Sequence, residues 1–119
     1  MDDIQARKFQ KELNVGLVGL VLLAVLDQST EDLYGYEIAK RLQRANAGES
    51  LFKDGTVYPV LRALSVAEFL TSRIEPSSAG PPRRYYRITR KGRTLLAQWS
   101  GIWIQTRDFV DRVLEGDKS

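Results

Sequence analysis

The chain has no cysteine and no histidine. Without cysteine there is no disulfide frame and no thiol chemistry. Without histidine, the usual parts of a tetrahedral zinc site and of Ser-His or Cys-His nucleophile systems are missing. Carboxylates sit side by side at Asp2-Asp3 and Glu31-Asp32. Nothing pairs them with a nucleophile or a metal, so they read as solvated charges in a terminus and a loop. No glycine-rich phosphate cradle is present. No catalytic residue, metal ligand or cofactor is therefore expected. The longest apolar run, VGLVGLVLLAVL from Val15 to Leu26, falls well short of the ~20 residues that span a bilayer. The opening Met1-Asp2-Asp3 is acidic where a secretory signal is basic. The expectation is a soluble, cytoplasmic protein, and 119 residues suit one domain.

What is present is unevenly spread charge. Residues 1–33 carry three basic and six acidic side chains, residues 34–94 twelve and five, and residues 95–119 three and four. The electropositive middle points to a polyanion partner, although solvated Lys and Arg faces are common.

Periodicity divides the chain. Ile4, Phe9 and Leu13 lead at helical spacing into the apolar run, predicting a helix over 5–27 in which Gly16 and Gly19 permit close packing by another element. DQSTED (27–32) is a loop. In YGYEIAKRLQRAN (34–46), Ile38, Ala39 and Leu42 share one face while Lys40, Arg41 and Arg44 lie elsewhere, and Gly48 is placed to end the helix at C′. A third helix is expected over 54–67, with Asp54 as N-cap and Val57, Val60, Leu61 and Leu64 as its buried stripe. It carries Gly55 and then Pro59, an odd choice that suggests a front end selected for contact as well as stability. FLTSRIE (69–75) and RRYYRI (83–88), joined by the turn PSSAGPP, predict a two-stranded hairpin. Thr89 then caps a last helix over 90–114.

Three helices, a hairpin and a long helix describe a mainly α protein with a small β-hairpin wing: a winged helix-turn-helix over 1–90, including the 5–27 helix, plus a C-terminal dimerisation helix over 91–119. In this fold the front of the third helix meets the bases in the major groove.

Four stretches, the apolar first helix, LYGYEIAKRL (33–42), DGTVYPVLRAL (54–64) and GPPRRYYRITRKGRTLL (80–96), together resemble the PadR family of bacterial transcriptional regulators. The resemblance implies a homodimer built through the last and first helices, near-palindromic double-stranded DNA operators and, usually, repression. Some members respond to flat aromatic or phenolic effectors. Two departures stand out. SVAEFL (65–70) lacks the glycine common after the third helix, and Phe52-Lys53-Asp54 stands where a Ser-Pro pair is frequent.

Candidate DNA contacts follow. Tyr36 stands at the start of the second helix. Thr56 could bond a phosphate or a base edge, and Val57 either touches a thymine methyl or belongs to the core. Tyr58 either bonds phosphate or is a half-buried ring with a wet tip. Arg62 either reaches the backbone or is solvated. Arg73, Arg83, Arg84 and Arg87 lie on the wing, where alternation puts Arg83, Tyr85 and Arg87 on one face and Arg84, Tyr86 and Ile88 on the other. Lys40, Arg41, Arg90 and Lys91 are further phosphate candidates. On the last helix Trp99 and Trp103 share a face. Trp103 either sandwiches a flat ligand across a twofold axis or packs the dimer. Arg107 either orients an acidic effector or faces solvent, and Phe109 extends the apolar surface. The alternative to a DNA-binding regulator is a dimeric winged-helix module whose basic surface serves an acidic protein partner.

Overall fold

Asp3 starts the first helix, its carboxylate accepting the Gln5 backbone N–H at 2.9 Å and so satisfying one of the unpaired donors of the first turn. From there the computed structural model, which describes residues 3–116, runs α1 (Ile4–Gln28), β1 (Leu33–Tyr34), α2 (Gly35–Ala45), α3 (Asp54–Val66), β2 (Leu70–Glu75), β3 (Arg83–Ile88) and α4 (Arg90–Glu115). Met1, Asp2 and residues 117–119, the outer ends of the two expected segments and half of the Asp2-Asp3 pair, lie outside the described residues. The expected helices and hairpin strands all form, with ends within about two residues of those read from the pattern.

The second half of α1 is the centre of the core. Val18, Leu22, Leu23 and Leu26 are buried, and the helix packs against α2, α3, α4 and β3. Each fully buried leucine contributes about 2 kcal/mol. By length and composition α1 could cross a bilayer, but Val18, Leu22, Leu23 and Leu26 of its second half are buried in the core of this domain. Ile38 and Leu42 of α2, Val57, Leu61 and Leu64 of α3, and Leu70, Tyr86 and Ile88 of the sheet complete the same cluster.

The helix ends show where local chemistry departs from expectation. The carboxylate of Glu37 accepts the Tyr34 N–H at 3.1 Å at the start of α2, the acidic half of a capping box. At its C-terminus the Gly48 N–H reaches the Gln43 carbonyl at 2.8 Å, and the left-handed C′ residue is Ala47 (φ 54), one position before the expected glycine. Lys53, not Asp54, is the N-cap of α3, and Asp54 is the first helical residue, beside the positive end of the dipole. Pro59 lies inside α3, beyond the turn where a proline removes no hydrogen bond. The Gly55 carbonyl loses its intrahelical donor there.

The missing glycine after α3 has a structural counterpart. Glu68 takes the left-handed conformation (φ 69), with its N–H bonded to the Ser65 carbonyl at 3.0 Å and the Phe69 N–H to the Leu64 carbonyl at 2.9 Å. This paired pattern requires one left-handed residue, and here a residue with a Cβ fills it.

The expected hairpin is part of a three-stranded antiparallel sheet of order β1-β3-β2. The added strand has only two residues, too short for any periodicity to reveal. Leu70 faces Ile88 and Ser72 faces Tyr86, while Arg73 faces Tyr85 and Glu75 faces Arg83. Period-2 alternation therefore turns Tyr86 and Ile88 to the core and Tyr85, Arg83, Arg73 and Arg87 to the opposite face.

Thr89 caps α4 through its hydroxyl, which accepts the Gly92 N–H at 3.0 Å and lies 2.8 Å from the Glu68 carbonyl. A Cβ at Gly92 would stand 2.1 Å from the Phe69 carbonyl oxygen, so only glycine lets α4 leave the sheet at this point. Beyond Trp99 the helix runs out from the domain with Ile102, Ile104, Phe109, Val113 and Leu114 exposed.

Glu68→Gly is expected to stabilise the fold by about 1 kcal/mol through release of the left-handed strain. Urea unfolding reads this as a higher midpoint at unchanged slope, and an unchanged midpoint would show the strain to be absent.

Candidate nucleic-acid interface

At 100° per residue, burying Val57, Leu61 and Leu64 of α3 turns Gly55, Tyr58, Pro59, Arg62 and Val66 outward. Val57 is 3 % exposed. It is a core residue, which removes it from the candidate groove contacts, because a side chain closing the core has no surface left for a base. Thr56 is half-buried at the edge of the outward face. Tyr58 is partly exposed and its ring lies on α2, where a Cβ at Gly35 would approach within 2.5 Å. The glycine of the YGYEI stretch is thus the seat of the tyrosine of the TVYP stretch. Burial, and then the charge of Asp54, push the Tyr58 hydroxyl pKa upward, so it stays a neutral donor.

The sheet divides the wing arginines. Arg84 is on the α3 side and donates to the Ser72 hydroxyl at 3.1 Å. Burial raises the Tyr86 pKa, while the charges of Arg84 and Arg62 act to lower it. A hollow of about 360 Å³ lies under the turn of the wing, bounded by Tyr36, Tyr58, Pro81, Arg83, Arg84 and Tyr86.

Arg73 and Arg87 are on the other face and are not free. Both bind Asp32, at 3.1 Å and 2.6 Å. Arg73 also pairs with Glu75 and lies 4.6 Å from the Tyr85 ring centre. Asp32, read from the sequence as a solvated loop charge, is instead mostly buried, its side chain 12 % exposed. Burial pushes its pKa up, but the hydrogen bonds from Arg87 and Arg73 outweigh that and hold it below the ordinary carboxylate range. Only tertiary structure joins a residue of the α1–β1 loop to two strands, so no sequence spacing announces this pair of bridges. Arg83 lies 4.5 Å over the Tyr34 ring, Tyr36 is exposed, and Lys40 stands 5.3 Å from its ring centre. Lys91 donates to the Ala67 carbonyl at 2.9 Å, at the negative end of α3.

The last-helix candidates also separate. Trp99 packs on α1, its ring 3.0 Å from where a Cβ of Gly19 would be, whereas Gly16 meets nothing. An open apolar hollow of about 420 Å³ lies between Leu13, Gly16 and Leu17 of α1 and Trp99, Ile102 and Trp103 of α4. Arg107 does not line it and pairs with its neighbour Asp108 at 3.3 Å. Phe109 is exposed further along the helix.

Asp32→Asn should destabilise the protein near neutral pH, where the wild-type carboxylate is ionised. The folded pKa is depressed, so this contribution is present above the ordinary carboxylate pKa of about 4 and fades as pH falls through the lower folded value. Urea midpoints of the two proteins are expected to differ at neutral pH and to converge in acid. An equal gap at both pH values would exclude the ionic account.

The same arrangement of helices and sheet occurs in known proteins. A transcriptional regulator from Clostridium thermocellum superposes with a TM-score of 0.76 at 26% identity, over 85% of this chain and 96% of its own. A PadR family transcriptional regulator from Eggerthella lenta superposes with a TM-score of 0.71 at 28% identity, over 97% of this chain and all of its own. An uncharacterised protein of Lysinibacillus sphaericus is 29% identical over 100 residues, 84% of this chain and 89% of its own length. Residues 22–98, more than half of the chain and the part that holds α2, α3 and the wing, match the PadR-like family of transcriptional regulators, and the protein belongs to that family, a DNA-binding regulator of transcription and not an enzyme.

Proposed function

We propose that the protein is a homodimeric, sequence-specific repressor that places its two α3 helices in successive major grooves of a near-palindromic operator. The observation that carries this reading is the uncovered face of α3. Gly55, Tyr58, Pro59 and Arg62 are exposed together, and Arg84 stands on the same side of the sheet. Thr56 and Arg62 then meet bases and backbone, Arg84 flanks them from the wing, and Tyr36, Lys40 and Arg83 reach phosphates from the rim. The paired Arg73 and Arg87 stiffen the wing that presents them. Residues 1–90 act as the DNA-binding unit and 91–119 as the dimerisation helix.

The apolar side chains at 102, 104, 109, 113 and 114, all exposed on α4, exceed what a lone helix leaves in water, and a second copy is the economical cover. Twofold pairing of α4 and α1 sets the α3 separation near the ~34 Å of one helical turn. Pairing also brings the Trp103 hollow to the twofold axis, where a flat aromatic effector would stack. Such a ligand releases DNA only if it binds one α3 spacing more tightly than the other. The working compartment is the cytoplasm, where the operator is.

Footprinting on the DNA upstream of the protein's own gene should protect two half-sites about one turn apart. Thr56→Ala combined with Arg84→Ala should abolish that protection while sedimentation still finds a dimer. Unchanged protection by the double variant would refute the assigned surface, and a monomer at micromolar concentration would refute the twofold arrangement.

A further inference from the structure

A hollow of about 560 Å³ is separate from both the hollow under the wing turn and the tryptophan pocket. It lies between the first half of α1 and the 51–53 loop that leads into α3. Arg7, Lys11 and Lys53 line it, with Gln10, Asn14 and Thr56, and no carboxylate does. Its shape is fixed by a short relay: Gln10 donates to Asn14 at 2.7 Å, and Asn14 donates to the Leu51 carbonyl at 2.9 Å. The relay clamps α1 to the loop that starts α3. On α1, the Lys11 and Asn14 side of the helix is turned away from Leu13 and Gly16, which line the tryptophan hollow. The cleft is thus separate from the surface assigned to pairing and effector binding.

Two features single out its occupant. Both lysines are exposed and converge on a hollow that also offers side-chain amides and a hydroxyl, the donor set that seats a phosphate oxyanion. Thr56 belongs both to this cleft and to the edge of the α3 surface assigned to DNA, so the cleft continues that surface across the front of α3. We propose that the cleft is an additional phosphate-binding site, seating the operator backbone beside the groove that α3 enters, with Lys11 and Lys53 as the cations that hold the phosphate and Asn14 as the positioning residue. This rests on the DNA-binding orientation proposed above and adds α1 to the contact surface.

The test measures duplex affinity by fluorescence anisotropy across a salt series, using the full chain and an operator duplex that extends one turn beyond each half-site. Each lysine that seats a phosphate adds roughly 0.9 to the log–log salt slope. Lys11→Gln and Lys53→Gln should therefore each flatten the slope by about that amount and weaken binding uniformly on operator and random duplexes. Lys11→Arg should restore the wild-type slope. Asn14→Ala should weaken binding with both lysines in place.

A double lysine variant with the wild-type slope would overturn the proposal while leaving the α3 reading intact. If inorganic phosphate raises the melting temperature of the wild type but not of the double variant, and the duplex slopes are equal, the cleft takes a free anion and the DNA assignment is overturned. A shift of the monomer–dimer equilibrium in the double variant, again with equal slopes, would assign the cleft to the acidic end of a partner's α4 and likewise overturn it. Failure of the wild type to bind any duplex would sink the function itself, a result separable from all of these.

Discussion

The structure depends on a single shared burial. Leu22 and Leu23 of α1, Ile38 of α2, Leu61 of α3 and Leu70 of the sheet are all fully enclosed in one cluster. A chain this short can build only one such core, so every element must give one face to it. The rest of the molecule's chemistry is what those elements have left over. For α3 the remainder is Gly55, Tyr58, Pro59 and Arg62. For α4, which gives the core little beyond Leu95, Leu96 and Trp99, the remainder is nearly its whole length.

This constraint sorts residues that look equivalent in a list of cations. Arg84 and Arg83 are neighbours, yet the pleat sends one toward α3 and the other over Tyr34. Arg73 and Arg87 lie on the same face of the sheet and are tied by one carboxylate from the α1–β1 loop. Paired in this way they join the loop before β1 to both strands of the hairpin. Arg62, on the outward face of α3, and Arg84, on the same side of the sheet, stand apart from that cluster. A surface of this kind binds a polyanion through a few placed charges on a stiff frame, which suits recognition better than a diffuse basic skin.

Much of the frame was legible beforehand because it rests on period and punctuation. The 3.6-residue repeat of α2 and α3, the alternation of RRYYRI and the threonine before α4 each have a local physical cause. The errors share a different origin. Lys53 displaced Asp54 as N-cap, and Ala47 took the left-handed position ahead of Gly48, because the packing of the flanking loop sets the backbone there and the preferred residue happens to be one place away. Glu68 is the clearest case. The absent glycine was visible in SVAEFL, but the strain it leaves at Glu68 is known only from the backbone angle. Val57 was ambiguous because groove and core both welcome a small apolar side chain, and only its position on the helix decides between them.

Residue order alone therefore established the element sequence, the inward stripe of each helix, the absence of thiol and imidazole chemistry, and the regulator family through its four motifs. Folding decided which charges are spent on one another and which are available. Asp32 with Arg73 and Arg87, Lys91 with the end of α3, Tyr58 on Gly35, and the lysines of the α1 cleft are all encounters between residues far apart in the chain. Local pattern carries the periodicity of a helix or strand because that is set by neighbours a few positions away. A salt bridge or a cleft is set by the crossing of elements in space, which the pattern of any one of them does not contain.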